Sequence, residues 1–494
     1  MKVNSIHLGV LVFIILLGLA GYAFSRQSNW LNLSKKNILI GLGIKGTFSV
    51  VFILIFTYYY GNGHLSGDAH EFLKDGAVLN QLAFSNPGEY FKLLFGFGEL
   101  DPTVFRDTLE QTNIWTTSNN GDLINDNRLI IRINSVIHFF SFNSPYVHAL
   151  VFSILSFYGV LLIYKSISDL VQRKELFFYV LLGFPSLAFW SSGISKEGIL
   201  VFAVGLFVFV LRRWKQNPGI YSLLFVFSVF LLSWNKPYVG LVLLATSLIF
   251  LIFKIETLRK RGILIFGILA TMGFTFLCYA PSSINLVEKI SYKQKDLINL
   301  GRGGVFFVTD SSFCAFDFKN YQNFRIYEDS VEVVKPTEGE YKLFGESEFY
   351  NFQIEKGPEK YAKYLVQPPS NSFYESKRIN YSIENLIISI PFAIHTVLIR
   401  PYPWDNGSAL KHFAFISNLI LIVLFGISLA RRRTLGIEQK YWLYYLLFSS
   451  LFITLIIGWT VPILGAVVRY KMAVDLLLII SIFILWKKES NSIS

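Results

Sequence analysis

The stretch FWSSGISKEGILVF, residues 189–202, sets a lysine and a glutamate between two long apolar runs. LFFYVLLGFPSLA precedes it, and VFAVGLFVFVL follows it until Arg212 and Arg213. Each run is long enough to be read as a membrane span. Lys196 and Glu197 then lie at a membrane surface, and charge elsewhere in the chain tells which one.

The chain has 494 residues, of which 53% are hydrophobic, 17% aromatic and 16% charged. Soluble domains carry about 25% charged residues, so this composition points to an all-α polytopic membrane protein. The formal charge of +12 invites a nucleic-acid reading. Its distribution speaks against one, because the basic residues cluster at the ends of apolar runs, where they set topology. Two cysteines, Cys278 and Cys314, make neither a disulfide framework nor a zinc site by themselves.

Spans are expected at 7–25, 38–60, 145–164, 175–191, 197–211, 219–234, 238–253, 262–280, 411–430, 441–459 and 466–486, about eleven in all. The first ends like a signal peptide at Ala-Gly-Tyr-Ala, but exceeds the about 7–15 residues of an h-region. It reads as a retained span. Six basic clusters alternate along the chain: Arg26/Lys35/Lys36, Lys165/Arg173/Lys174, Arg212/Arg213/Lys215, Lys254/Arg259/Lys260/Arg261, Arg431/Arg432/Arg433 and Lys487/Lys488. The positive-inside rule makes them cytoplasmic, with the N-terminus outside and the C-terminus inside. The turn holding Lys196 then faces outward.

Two extracytoplasmic segments remain. Residues 61–144 offer helix-like pieces at 69–81 and 127–140. Residues 281–383 read as a small α/β insert, with strands in VFFVTD, NFRIYEDSVEVV and EYKLF and a helix in EKYAKYLV. The run 384–400 fits as a re-entrant or interfacial helix, since a full crossing would turn Arg431–Arg433 outward. The expected organisation is an N-terminal transmembrane module at 1–280, the insert at 281–383, and the re-entrant and C-terminal helices at 384–494.

This topology places Lys196, Lys236, Arg400, Arg469 and Lys471 at the outer face, which topology itself does not favour for basic residues. Such cations call for an anion, and phosphate is the natural one. Asp68, just beyond the second span, is a candidate general base toward a hydroxyl. His70 and Glu71 could join it on a divalent cation, magnesium or manganese. Plain structural readings stand beside these. Lys196 snorkels to the interface while Ser195 and Glu197 cap the next helix. Lys236-Pro237 anchors a loop, and Arg400 bonds carbonyls of its own turn. Lys471 and Asp475, four apart, pair with each other.

Four pieces carry a family resemblance: Pro185-Ser186 with FWSSG and Lys196-Glu197, the Lys236-Pro237 turn, Arg400-Pro401-Tyr402-Pro403-Trp404, and Val468-Arg469-Tyr470-Lys471. Together with Gly67-Asp68-Ala69, they resemble the GT-C superfamily of integral membrane glycosyltransferases, and more closely bacterial membrane proteins of surface-polysaccharide assembly. The insert 281–383 has no counterpart in that pattern, and Lys236 stands where an arginine is expected. The resemblance implies a bacterial inner-membrane enzyme of the cell envelope. It would use a polyprenyl-(pyro)phosphate sugar donor at the extracytoplasmic side and a glycan, lipid or protein acceptor. Asp68 with Glu71 would be catalytic. Lys196, Lys236, Arg400 and Arg469 would hold the donor phosphate, and Trp190, Trp404 and Tyr470 would line the sugar. A metal-free polysaccharide polymerase or ligase, a transporter or flippase of lipid-linked sugar, and a non-catalytic envelope scaffold are the competing readings.

Overall fold

The structure is a computed structural model that describes residues 2–97, 101–115, 125–254, 285–344, 346 and 348–487. The expected span 262–280, with Cys278 and the cluster Arg259/Lys260/Arg261, lies outside the described residues, as do residues 281–284 of the insert and Lys488. Among the described residues, six helices are long and apolar enough to cross a membrane. They are Ile6–Ser25, Lys35–Tyr59, Pro145–Ile167, Pro218–Asn235, Lys411–Ala430 and Ile437–Thr460. Helical spans satisfy every backbone polar group internally, which lipid requires. The protein is membrane-embedded.

The remaining expected spans are shorter, charged at their ends, or broken. The run 175–191 divides into Lys174–Gly183 and Pro185–Trp190. Phe184 between them is extended, at φ −63 and ψ 125, because the residue before a proline is pushed out of the helical region. The run 466–486 divides into Leu464–Tyr470 and Met472–Leu485 at Lys471. The helix Lys196–Arg213 carries charges at both ends and is buried along most of its length. The run 384–400 forms two pieces, Ile383–Ile388 and Ile390–Leu398. At 1.5 Å per residue the longer of these reaches only about 14 Å, well short of a bilayer core.

The chain forms two compact units. The first comprises Met1–Phe250, Leu421–Ser450 and Met472–Ser494, and the second Leu251–Ile420 and Leu451–Lys471. These bounds differ from the expected divisions at 280 and 383, since the C-terminal helices contribute to both units.

In the first unit, helices Pro145–Ile167 and Lys196–Arg213 touch backbone to backbone. A Cβ on Gly205 would lie 2.3 Å from the Gly159 carbonyl oxygen, and one on Gly159 would lie 2.6 Å from Phe202 Cα. Small residues permit such approach where lipid gives helices little other reason to associate. Gly205→Leu is therefore expected to lower stability by about 1–3 kcal/mol, read by thermal unfolding in detergent. Gly18→Leu, at a glycine with open space around it, serves as the control. Equal melting of the two variants would remove the close crossing. Beyond the second span, helices Gly67–Ser85 and Arg128–Ser141 match the two pieces read in the sequence, and Pro87–Phe95 lies between them. Their apolar faces, with Phe72, Leu79, Ile130, Ile131 and Ile137, share one core with Phe52.

The basic clusters meet at one end of this unit. Arg212 bonds Asp169 at 2.5 Å and also bonds Glu438. Arg433 bonds the carbonyls of Leu170 and Ile484, and Arg173 lies over the Trp486 ring. Lys196 begins the helix whose last turn holds Arg212, so the two are about 24 Å apart along its axis.

The second unit is built on a seven-stranded antiparallel sheet in the order β3-β4-β7-β1-β2-β5-β6. Its strands are β1 (Gly304–Val308), β2 (Ser312–Asp317), β3 (Phe324–Ile326), β4 (Ser330–Val333), β5 (Thr337–Leu343), β6 (Tyr350–Ile354) and β7 (Lys360–Gln367). Helix Leu286–Arg302 lies against it, with Lys295 on Glu340 at 2.5 Å and Lys342 Nζ donating to Tyr292 OH at 2.8 Å. The strands read in VFFVTD, NFRIYEDSVEVV and EYKLF are all present. EKYAKYLV is a correction, because it is strand β7 rather than a helix. Its pairing with β1 shifts register between Phe306 and Phe307, opposite Leu365 and Lys363, which leaves Tyr364 as an extra bulged residue. The bulge lets Tyr361 and Val366 reach the same core, although a regular strand would send residues five apart to opposite faces.

Candidate functional site

The opening stretch folds into a turn between Pro185–Trp190 and Lys196–Arg213. Gly193 is required there, since a Cβ would lie 2.4 Å from the Phe52 ring. Ser195 stands at the N-cap position, yet its hydroxyl donates to the Trp190 carbonyl at 2.6 Å instead of capping the helix. Glu197 likewise serves as more than a helix start. Its Oε1 lies 3.7 Å from Lys236 Nζ, with both side chains buried. Asn235 closes the arrangement by donating from Nδ2 to the Lys196 carbonyl at 2.8 Å. Lys196 and Lys236, far apart in sequence, are thus joined through their immediate neighbours.

Lys196 Nζ bonds Asp126 Oδ1 at 2.5 Å, the lysine side chain being 8% exposed and the aspartate 31%. This partner comes from the segment 61–144 and was not anticipated. The pairing adds protein counter-ions to two cations that the sequence reading set beside an external anion. Each faces a carboxylate of the protein.

Two further polar contacts seat the same turn. Lys45, midway along Lys35–Leu54, is buried and donates to Ser191 Oγ at 2.6 Å, Ser192 Oγ at 3.1 Å and the Ser191 carbonyl at 3.4 Å. Ser186 donates to Asp475 Oδ2 at 2.6 Å, within the same unit. An ionisable residue inside an apolar span is costly and marks either a site or a partner. A lone lysine in the run 38–60 was the available signal for Lys45, and the sequence reading absorbed it into the span.

Asp68 lies exposed in the first turn of Gly67–Ser85, where the helix dipole favours a carboxylate. It follows a π-helical turn, Ile55–Tyr59, at the end of the second span. His70 is exposed, and Glu71 accepts from Asn113 Nδ2 at 2.5 Å. Among the described residues, no group of three or more His, Cys, Asp or Glu side chains is placed to hold a metal ion. Asp75, two turns beyond Asp68 on the same helix, is fully buried. It accepts the backbone N–H groups of Asn113, Ile114 and Trp115 at 2.8–2.9 Å. Trp115 in turn lies 5.2 Å from the guanidinium groups of both Arg128 and Arg132. Burial, with the Arg128 charge nearby, pushes the Arg132 guanidinium down to about 10. Trp190 packs among Phe52, Phe56 and Phe189.

In the second unit, Arg400 donates from Nη2 to Asp405 Oδ1 at 2.7 Å and from Nε to Oδ2 at 3.1 Å. It also lies 4.6 Å over the Tyr374 ring. The carbonyls of its own turn are met by Asn418, whose Nδ2 bonds the oxygens of Ile399 at 3.2 Å and Arg400 at 2.8 Å. Asn418 Oδ1 accepts from Lys471 at 2.6 Å, so Lys471 supports the Arg400 turn. Trp404 is 77% exposed and stacks on Tyr402 at 4.8 Å. Arg469 and Tyr470 are half-buried in the last turn of Leu464–Tyr470.

No protein-family model matches the chain, and neither a curated protein nor a solved structure is detectably similar to it.

Proposed function

We propose that the protein transfers a sugar from a polyprenyl-(pyro)phosphate donor to an acceptor hydroxyl outside the cytoplasm, in a bacterial inner membrane with the N-terminus outward. The observation that supports this is the pair of buried lysines in the first unit, Lys196 under Asp126 and Lys236 beside Glu197. Asp126 is the more exposed partner of its lysine. An arriving phosphate exchanges with that carboxylate as counter-ion, so Lys196 is not left uncompensated when the site is empty. In the reaction the acceptor oxygen bonds the anomeric carbon, and the bond from that carbon to the phosphate oxygen breaks. The phosphate leaves with the electron pair, and the acceptor proton passes to Asp68. The lysines stabilise charge developing on the leaving group. A divalent cation at Asp68 and His70 belongs to the same proposal.

Asp68→Asn is expected to reduce transfer at least about a hundredfold while donor binding persists. Purified protein with labelled polyprenyl-linked sugars measures both. Unchanged transfer removes the base assignment. A second reading, translocation of lipid-linked sugar, is favoured by Lys45 and Asp475, both buried in apolar helices. Movement of labelled donor across liposomes by the Asp68→Asn variant, with no transfer by the wild type, selects that reading.

A further inference from the structure

Helix Pro87–Phe95 is apolar on two sides. Tyr90 and Leu93 are buried within the first unit, whereas Phe91 and Phe95, four residues apart on another face, stay 57% and 61% exposed. They belong to a larger ridge. Phe97 follows at 72%, and Phe84 and Phe139 from the flanking helices add 74% and 50%. The rings run on at centroid spacings of 5.6–6.3 Å: Phe84 on Phe139, Phe139 on the buried Tyr90, Tyr90 on Phe91, Phe91 on Phe95, and Phe95 on Phe97. At about 200 Å² per ring the bare surface is on the order of 600 Å², the upper end for the largest apolar patch on a soluble monomer.

The path of the chain sets this ridge beside the bilayer. Helix Gly67–Ser85 starts where the second span ends, with Ser66 Oγ donating to the Phe56 carbonyl at 2.7 Å. Exposed Tyr58, Tyr59 and Tyr60 mark that end, the level at which tyrosines gather in membrane proteins. At the far end of the helix, about 28 Å away, Phe84 meets Phe139, which closely precedes the third span at Pro145. A helix tied to a span at each of its own ends lies along the membrane surface. Charge supports the same placement. Arg132 shares a helix face with Val136 and Phe139, at i, i+4 and i+7. Its Nε donates to the Leu93 carbonyl at 2.7 Å, and its Nη2 stands against Gly96, between Phe95 and Phe97, where a Cβ would lie 3.4 Å from it. Among the described residues no carboxylate pairs with Arg132. A guanidinium bordering bare aromatic rings complements a lipid phosphate above acyl chains.

We infer that this ridge is immersed in the leaflet where the second and third spans emerge, with its five phenylalanines among acyl chains and Arg132 at the phosphates. Interfacial helices bury their apolar face about 5–10 Å into the boundary between headgroups and acyl chains. The inference needs only the membrane-embedded fold and stands whether or not the protein transfers sugar.

The test uses the full chain in nanodiscs of phosphatidylcholine and phosphatidylglycerol. In a Cys278→Ala/Cys314→Ala background, a nitroxide is attached at Phe91→Cys, at Phe95→Cys, or at Glu110→Cys, an exposed acidic position of the same segment. Collisions with oxygen, which partitions into lipid, and with a water-soluble nickel chelate read depth. Both ridge positions are expected to show at least fivefold less nickel access than Glu110→Cys, with high oxygen access. The wild-type chain supplies a readout free of substitutions. Phosphatidylcholine carrying a diazirine in its acyl chain is expected to label peptides within residues 84–97. Nickel access equal to that at Glu110→Cys overturns the inference, as does shielding from both reagents, which a second copy or another protein on the ridge would give. Wild-type labelling confined to the spans overturns it as well.

Discussion

Replacing Ser191 and Ser192 together by alanine is expected to destabilise the first unit by about 3–5 kcal/mol, the range for a buried charge that loses its partners. Lys45 sits inside an apolar helix and meets three oxygens of the turn. The two hydroxyls spend their own protons on the carbonyls of Leu187 and Ala188, so their lone pairs are what the ammonium finds. Their removal leaves Lys45 with one carbonyl at 3.4 Å. Hydrogen bonds to a charged group contribute about 1.5–3 kcal/mol each, and orphaning the charge adds desolvation. The other side of the contact is expected to be nearly neutral. Lys45→Met keeps most of the stem volume and removes the charge, and both serine protons stay satisfied, so this change is expected to shift stability by less than about 1.5 kcal/mol. Combined with the serine double variant, Lys45→Met should recover most of the loss. Unfolding of the four proteins in one detergent completes the cycle. A serine double variant as stable as wild type, or one that Lys45→Met does not rescue, rejects the contact.

Asp75→Ala is expected to be the second large loss. The Asp75 carboxylate is buried and accepts three consecutive backbone N–H groups from Asn113, Ile114 and Trp115. Alanine leaves three donors without an acceptor, at about 1–3 kcal/mol each before relaxation. The segment relaxes by detaching, so the net destabilisation should fall near about 3–5 kcal/mol, at the upper end of single-residue effects. The release has a local signature. Trp115 is 3% exposed, and Asn125 and Arg128 bond its carbonyl oxygen. Limited proteolysis should therefore cut within residues 101–115 far faster than in wild type. Asp75→Asn retains one acceptor oxygen and should fall between the two. Identical proteolysis of wild type and Asp75→Ala eliminates the anchoring role.

Both predictions rest on side chains that sequence reading left aside, whereas the residues it did single out are found with partners it did not foresee. Lys196, Lys236 and Arg400 were chosen because they stand at the ends of apolar runs, and that placement is visible in one dimension. Asp126, Glu197 and Asp405 as their respective partners are not. Lys196 and Asp126 are 70 residues apart, and no spacing rule reaches that far. Glu197 was read by its place in the chain alone, as a helix start.

What the sequence by itself determined is the solvent and the local form. Apolar runs about as long as a bilayer core is thick must be helices, because lipid offers no other partner for the backbone. The alternating strands of the insert followed from the same kind of local periodicity. What only the tertiary structure decided is how those pieces end and what their charges face. Pro185 interrupts a run that composition alone joins, and a bulge at Tyr364 turns an apparent helix into β7. Lys45 is tolerated in its span because a turn nearly 150 residues later brings two serines to it. Hydropathy is additive along the chain and can be summed from residue types. A hydrogen bond to a buried charge depends on one atom within about 3 Å, and only the folded chain supplies it.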